Sequence, residues 1–157
     1  MKAAVITVSD SCASGAREDV SGPSLARLLS EDGWEVAGVA VIPDEIEAIR
    51  REVKKLVAEA VGLILLTGGT GISPRDVTPE AVRPILDKEI PGLGELMRLR
   101  GLEQTEKAAL SRSLAGCIGT SLILCLPGST KGATQSLAAV LGLLPHAIEL
   151  LEGKTGH

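Results

Sequence analysis

Residues 63–71 of the chain read Leu-Ile-Leu-Leu-Thr-Gly-Gly-Thr-Gly, an apolar run that leads directly into a loop with three glycines. The apolar run is typical of a strand buried on both faces, as in a parallel sheet covered by helices. Glycine permits positive φ angles and lets backbone N–H groups converge on an anion. Because ligands collect at the carboxyl ends of parallel strands, this loop predicts a site for a phosphate-rich small molecule. A tight structural turn is the alternative interpretation.

The segments around this run predict an α/β fold. Strand-like runs at 3–8, 35–42 and 63–66 alternate with helical patterns, which implies right-handed parallel crossovers. Residues 114–126 predict a β-hairpin with Gly119-Thr120 at its turn, and a long helix kinked at Pro145 follows. We therefore predict a mostly parallel sheet with a C-terminal β-hairpin and helices on both faces. The length predicts one domain, 1–157.

The composition excludes several classes of function. The chain has 16 Lys and Arg residues against 20 Asp and Glu, a net charge of −4, with the two signs interspersed. Binding to nucleic acid needs a basic surface, and base stacking needs aromatic side chains, which make up 1% of this chain. Three cysteines and two histidines, one of them His157, follow no zinc-binding spacing. We expect no nucleic-acid partner and no structural zinc.

Neither a membrane span nor a secretory signal is predicted. The apolar runs at 61–66 and 118–126 are too short or too interrupted to cross a bilayer. The N-terminal apolar run reaches polar residues after one strand length, unlike a secretory signal. The scattered cysteines fit a reducing compartment. We therefore expect a cytoplasmic protein without a membrane partner.

The residues after the first loop carry charge suited to bound phosphate. The loop is not a P-loop, because no Lys-Ser or Lys-Thr pair follows it, and Pro74 stands where a dinucleotide fingerprint needs its third glycine. A carboxylate beside a phosphate would repel it unless a cation lay between them. The sequence therefore predicts Asp76 as a Mg²⁺ ligand and Arg75 as a phosphate clamp. A surface Arg–Asp ion pair is the alternative.

A second glycine-rich turn precedes the C-terminal helix. Residues 127–132 read Pro-Gly-Ser-Thr-Lys-Gly, and a helix start together with the Lys131 charge would attract an anion, although such turns also serve structure alone. Asp44 follows the second strand, where it is predicted to cap a helix. Ser9 and Asp10 end the first strand. Four strand ends are thus predicted to deliver polar or glycine-rich sequence to one edge of the sheet.

These segments together resemble the molybdenum cofactor biosynthesis proteins, specifically the molybdopterin adenylyltransferases of the short bacterial and archaeal branch. The resemblance rests first on Thr-Gly-Gly-Thr-Gly at 67–71 and Arg-Asp-Val-Thr-Pro-Glu-Ala at 75–81. Supporting segments are Val-Ser-Asp at 8–10, Ile-Pro-Asp-Glu at 42–45, Ile-Pro-Gly at 90–92, Leu-Ser-Arg-Ser at 110–113 and Leu-Pro-Gly-Ser at 126–129. The matches occur in family order over nearly the whole chain.

The resemblance implies a three-layer α/β fold, a homotrimer or hexamer, and a reaction. In that reaction MgATP adenylylates molybdopterin and pyrophosphate is released, and a molybdate insertase is implied as a further partner. Asp44 and Asp76 match the two carboxylates that the family uses for catalysis, acting through Mg²⁺. The residues predicted to bind molybdopterin and ATP are Ser9, Asp10, Gly68, Gly69, Thr70, Gly71, Arg75, Thr78, Ser111, Pro127, Gly128, Ser129 and Lys131.

Two alternatives stay open. The turn at 129–132, Ser-Thr-Lys-Gly, departs from the form found in some members, and some members of the short branch have lost adenylylation. A non-catalytic molybdopterin-binding or scaffolding protein is therefore the first alternative. The second is a related α/β domain that handles another nucleotide or pterin.

Overall fold

A single six-stranded sheet organises the part of the chain that the computed structural model describes, residues 1–154. The last three residues of the predicted domain 1–157, among them His157, lie outside the described residues. The strands are β1 (Lys2–Val8), β2 (Glu35–Ile42), β3 (Leu63–Thr67), β4 (Lys88–Glu89), β5 (Leu114–Ile118) and β6 (Ser121–Leu126). Their spatial order is β2-β1-β3-β6-β5-β4. The first four strands in that order run parallel, β5 runs antiparallel to β6, and β4 runs antiparallel to β5. The predicted mostly parallel sheet with a C-terminal hairpin, β5–β6, is confirmed.

Helices cover both faces of the sheet. They are α1 (Asp10–Ala13), α2 (Ser21–Glu31), α3 (Ile46–Ala58), α4 (Thr78–Val82), α5 (Pro91–Leu102), α6 (Thr130–Val140) and α7 (Leu144–Leu151). Short 3₁₀ segments occupy Arg83–Ile85, Glu106–Leu110 and Leu141–Leu143. The prediction of one long C-terminal helix kinked at Pro145 is therefore wrong. A 3₁₀ turn separates α6 from α7, and Pro145 lies in the first turn of α7, where a missing N–H costs nothing.

Two apolar layers, one on each face of the sheet, confirm the three-layer arrangement. Side chains of a strand alternate between faces, so Val5 and Leu65 face one layer while Ile6 and Leu66 face the other. The first layer is completed by α2, α5, α6 and α7, and the second by α3 and α4. Cys117 and Cys125, in β5 and β6, are buried.

One helical stretch in the described chain, Thr130–Leu151, is long and apolar enough to cross a membrane by length and composition alone, with a mean hydropathy of 1.3. This stretch comprises α6 and α7, and its buried side chains Leu137, Val140 and Ile148 belong to the first apolar layer. Packing in the core therefore accounts for part of its apolar composition, since 28% of the apolar window is buried.

Candidate functional site

The carboxyl ends of β1, β2, β3 and β6 meet at one edge of the sheet. The Ser9 N–H donates to the Ile42 carbonyl at 2.9 Å, which joins the ends of β1 and β2. The Thr67 hydroxyl donates to the Pro127 carbonyl at 2.7 Å, which joins the ends of β3 and β6. The predicted convergence of four strand ends is therefore observed, because parallel strands in register end at the same edge.

Asp10 and Asp44 hold each other in place across this edge. The Asp10 N–H donates to the Asp44 carboxylate at 2.9 Å, and the Asp44 N–H donates to the Asp10 carboxylate at 3.0 Å. The prediction that Asp44 caps α3 is therefore wrong. The cap position belongs to Glu45, which makes no side-chain cap hydrogen bond. The Asp44 carboxylate instead accepts the hydrogen bond from the Asp10 N–H at the strand edge.

The Asp10 carboxylate also binds Arg75. The Arg75 Nε and Nη2 atoms donate to its two oxygens at 2.9 and 3.0 Å. The Arg75 hydrogen bonds are the main reason that the pKa of Asp10 is lowered from its ordinary value. Arg75 therefore lies in an exposed ion pair, but its partner is Asp10 and not the adjacent Asp76. In this arrangement the guanidinium is not presented as a free phosphate clamp.

Asp44 lies in an environment that disfavours its charge. Burial raises its pKa above the ordinary value of 3.8, and repulsion from Asp10 and Asp76 raises it further, against the opposing hydrogen bond from the Asp10 backbone. A divalent cation between these carboxylates would relieve both effects. The electrostatics of the strand edge therefore suit a bound cation.

The first glycine-rich loop needs glycine for both conformation and space. Gly68 and Gly69 have φ angles of +106° and +66°, which other residues rarely adopt. A Cβ at Gly68 would overlap the Val8 carbonyl oxygen, and one at Gly69 would overlap the Thr78 hydroxyl and lie 3.1 Å from the Asp44 carboxylate. The loop is thus pressed against the end of β1 and against Asp44.

Thr78 supports this loop from beneath. Its hydroxyl donates to the Gly68 carbonyl at 2.8 Å, and its N–H donates to the Gly69 carbonyl at 3.0 Å. The residue is fully buried and lines none of the cavities at this edge. Its polar atoms already bond the loop, so a contact between Thr78 and a ligand stays a prediction that this geometry does not support.

Asp76 lies at the end of the segment that follows the first glycine-rich loop. Its carboxylate accepts a hydrogen bond from the Ser73 N–H at 2.8 Å, and it faces the same cavity as Asp44. That cavity, of about 370 Å³, is here called the carboxylate cavity. Its lining includes Ser9, Arg17, Asp44, Gly68, Gly69 and Asp76. Both predicted catalytic carboxylates therefore border one space.

A second cavity, of about 300 Å³, adjoins the first and is here called the cationic cavity. Its charged lining residues among those described are Arg98 and Lys107, and no acidic side chain lines it. Predicted residues that line it are Thr70, Gly71, Ser111, Pro127, Gly128 and Ser129. Gly128 and Ser129 also line the carboxylate cavity, so the two cavities meet at the second glycine-rich turn.

The second turn is built differently from the first. Gly128 approaches the first loop closely, since a Cβ there would lie 3.3 Å from the Gly68 Cα. The Ser129 hydroxyl caps α6 by accepting from the Gly132 N–H at 3.1 Å. Lys131 is exposed on α6 and lines neither cavity, so its contribution of charge to the site stays a prediction that this geometry does not support.

Sequence reasoning missed four cationic side chains at the site. Arg17, Arg98 and Lys107 line the cavities, and Arg112 holds the segment that carries Asp76. Arg98 and Lys107 lie on α5 and on the 3₁₀ segment after it, far along the chain from every glycine-rich loop. Only Arg112 had a signal, because it lies inside the Leu-Ser-Arg-Ser segment at 110–113.

The carboxylates at this strand edge can hold Mg²⁺ only if water and a phosphate ligand complete its coordination. The described residues contain no group of three or more His, Cys, Asp or Glu side chains able to hold a metal by themselves. Mg²⁺ usually takes one or two carboxylates and completes its shell with water and substrate phosphates. Asp44 and Asp76 supply two carboxylates, so they fit a magnesium ion that arrives with a phosphate ligand.

The fold and the site together define a class of protein: an open α/β sheet with two adjoining ligand cavities at the carboxyl ends of its parallel strands. A family model described as a probable molybdopterin binding domain matches residues 4–146. The chain therefore belongs to this family, and the resemblance drawn from its motifs is confirmed.

Individual relatives agree with this assignment. The molybdopterin biosynthesis enzyme MoaB from Thermus thermophilus is 48% identical, with a TM-score of 0.92 and 99% of each chain covered. A molybdopterin adenylyltransferase from Helicobacter pylori is 37% identical over 95% of this chain and 86% of its own length. The molybdenum cofactor synthesis protein cinnamon from Drosophila melanogaster is 45% identical over 94% of this chain and 25% of its own length. The chain spans half or less of the length of several curated relatives that it matches.

Proposed function

We propose that this chain transfers the adenylyl group of MgATP to molybdopterin and releases pyrophosphate, as a step in molybdenum cofactor biosynthesis. The observation that carries the proposal is the meeting of a carboxylate cavity and a cationic cavity at Gly128 and Ser129. A reaction that joins two phosphorylated ligands needs two binding spaces that share a border. The adenylyltransferase name of the Helicobacter pylori relative supports the same reaction.

The chemistry assigns one ligand to each cavity. An oxygen of the molybdopterin phosphate attacks the α-phosphorus of ATP, and the bond from that phosphorus to the oxygen bridging the β-phosphate breaks. Arg98 and Lys107 would bind the molybdopterin phosphate in the cationic cavity, since they offer charge without a competing carboxylate. The ATP triphosphate would lie in the carboxylate cavity, where Asp44 and Asp76 would hold its Mg²⁺. Bound Mg²⁺ supplies positive charge that offsets the negative charge of the triphosphate.

The side chains contribute position and charge, not a covalent intermediate. Holding the attacking oxygen and the α-phosphorus in line supplies much of the rate enhancement in phosphoryl-type transfers. The buried thiol of Cys125 is unsuited to nucleophilic attack, because burial raises its pKa to about 12. Ser129 lines both cavities, but its hydroxyl already caps α6 by accepting from the Gly132 N–H.

A non-catalytic molybdopterin-binding or scaffolding role is the second candidate. The observation that favours it is the position of Lys131, which lines neither cavity and so leaves the second turn without the cation that the sequence offers. Assembly as a trimer or hexamer, partnership with a molybdate insertase and a cytoplasmic location stay predictions.

The deciding experiment measures pyrophosphate release from ATP and Mg²⁺ with and without molybdopterin. Adenylylation predicts release that requires all three components, together with formation of adenylyl-molybdopterin detected by mass spectrometry. Tight molybdopterin binding by equilibrium dialysis without pyrophosphate release would contradict the enzyme and support the scaffold. Removal of Mg²⁺ with a chelator should abolish release and leave molybdopterin binding in place.

A further inference from the structure

The tripeptide Ser111-Arg112-Ser113 lies beside the cationic cavity. Its chain runs extended from the 3₁₀ segment at Glu106–Leu110 into β5, and side chains of an extended chain point alternately to opposite sides. Ser111 and Ser113 line the cationic cavity, with their hydroxyl oxygens 2.8 Å apart. The Arg112 side chain points away from that cavity, toward the segment that ends in Asp76.

Arg112 binds both ends of this segment. Its Nε donates to the Gly71 carbonyl at 2.8 Å, and its Nη2 donates to the Asp76 carbonyl at 2.9 Å. Its Nη1 pairs with the Glu80 carboxylate, and its backbone N–H donates to the Thr70 carbonyl at 2.8 Å. One side chain and its own backbone thus span the whole loop from residue 70 to residue 76.

At residue 70 the buried Thr70 hydroxyl also joins this loop to β6, donating to the Leu126 carbonyl at 3.5 Å. Beyond that residue, the other contacts of the loop leave it dependent on Arg112. The hydrogen bond between Asp76 and the Ser73 N–H lies within the loop and does not join it to the sheet. The Arg75–Asp10 ion pair joins it on the exposed side, where such pairs contribute little. Residues 72–75 are exposed, so packing does not fix them.

We propose that Arg112 is a positioning residue that holds the Asp76 carboxylate in register with the cationic cavity. The kinetic part of this inference rests on the proposed adenylyl transfer, whereas the structural part does not. The planar guanidinium reaches two carbonyls and one carboxylate at once. A lysine could keep the pairing with Glu80 but could not reach both the Gly71 and Asp76 carbonyls.

The test is the substitution Arg112→Lys, with Arg83→Lys as the matched control. Arg83 also makes two hydrogen bonds to one carboxylate, that of Glu89, and lines neither cavity. In Arg112→Lys, amide hydrogen exchange over residues 70–77 should quicken about tenfold, because the loop opens locally more often. The kcat should fall on the order of 10- to 100-fold, since small displacements of a reacting group are costly. The KM for molybdopterin should stay within about twofold, because its binding contacts persist.

Each contrary result has its own meaning. Unchanged exchange over residues 70–77 overturns the inference, as does faster exchange with unchanged kcat. A raised KM for molybdopterin with normal kcat also overturns it, because Arg112 would then act on the ligand directly. If the wild-type protein releases no pyrophosphate, the proposed function fails. The structural part of the inference, that Arg112 holds the loop, is then tested by the hydrogen exchange measurement alone. The Arg83→Lys variant should match the wild type in both measurements.

Discussion

The two cavities differ in charge and in how the chain builds them. The carboxylate cavity is lined mainly by residues that directly follow parallel strands, such as Ser9, Asp44 and Gly68. The cationic cavity takes its charges from α5 and from the 3₁₀ segment after it. The sheet therefore positions one half of the site, and helices that pack on the sheet position the other half. We expect substitutions in the first half to reduce turnover and those in the second to weaken molybdopterin binding.

The largest effect expected from this comparison is that of Asp76→Asn. The amide oxygen can still accept the hydrogen bond from Ser73, so the loop should keep its shape while the negative charge is lost. We expect kcat to fall on the order of 100-fold, the usual scale for loss of a charge that stabilises a transition state. Molybdopterin affinity should stay unchanged in equilibrium dialysis. Wild-type turnover in this variant would remove Asp76 from the reaction.

The next largest expected effect is a loss of folding stability, caused by a substitution where the first glycine-rich loop packs against Asp44. Gly69→Ala places a methyl group against the Thr78 hydroxyl in a backbone conformation with φ of +66°. We expect a loss of about 2 kcal/mol, which corresponds to a melting temperature lower by roughly 4–8 °C.

The matched control for this substitution is Gly38→Ala. Gly38 lies in β2 without a positive φ, and a methyl group added there would meet no other atom within 4 Å. The melting temperature of this variant should match that of the wild type. Equal melting temperatures for the two variants would show that the first loop does not require glycine at position 69.

A smaller effect is expected from Lys107→Gln in the cationic cavity. Loss of one exposed charge near a bound phosphate should raise the KM for molybdopterin about fivefold, or about 1 kcal/mol, with little change in kcat. Lys54→Gln, an exposed lysine of α3 outside both cavities, serves as the charge control. A kcat effect larger than the KM effect would contradict the division between the two cavities.

The smallest expected effect is the pH dependence of Asp44. Because burial raises its pKa, the carboxyl should titrate above 3.8 when followed by carbon NMR, and Asp76→Asn should lower that midpoint by removing one repelling charge. A raised carboxyl pKa means that the folded state prefers the neutral form. The charged form therefore costs stability once the pH rises above the unfolded value. Asp44→Asn should thus be slightly more stable than the wild type at pH 7, with the difference vanishing below about pH 4. A titration midpoint at or below 3.8 would contradict the electrostatic description of this cavity.

The sequence predicted residues at strand ends better than residues brought in by packing. Asp44 could be placed at this edge because parallel strands in register end together, and Asp76 because it closely follows the first glycine-rich loop. Their hydrogen-bond partners could not be predicted, since Asp44 was expected to cap α3 and instead pairs with Asp10. Lys131 was expected in the site from its place after the second turn, yet the side chain leaves α6 on the exposed side.

The pattern of apolar runs and glycines by itself determined the parallel strands, the hairpin and the sheet edge where the candidate site lies, because strand period and positive φ are local properties of the chain. Only the tertiary structure decided which charged side chains face each cavity. The direction of Arg98, Lys107 and Arg112 depends on how α5 and the chain after it pack against the sheet, and those contacts join residues far apart in sequence.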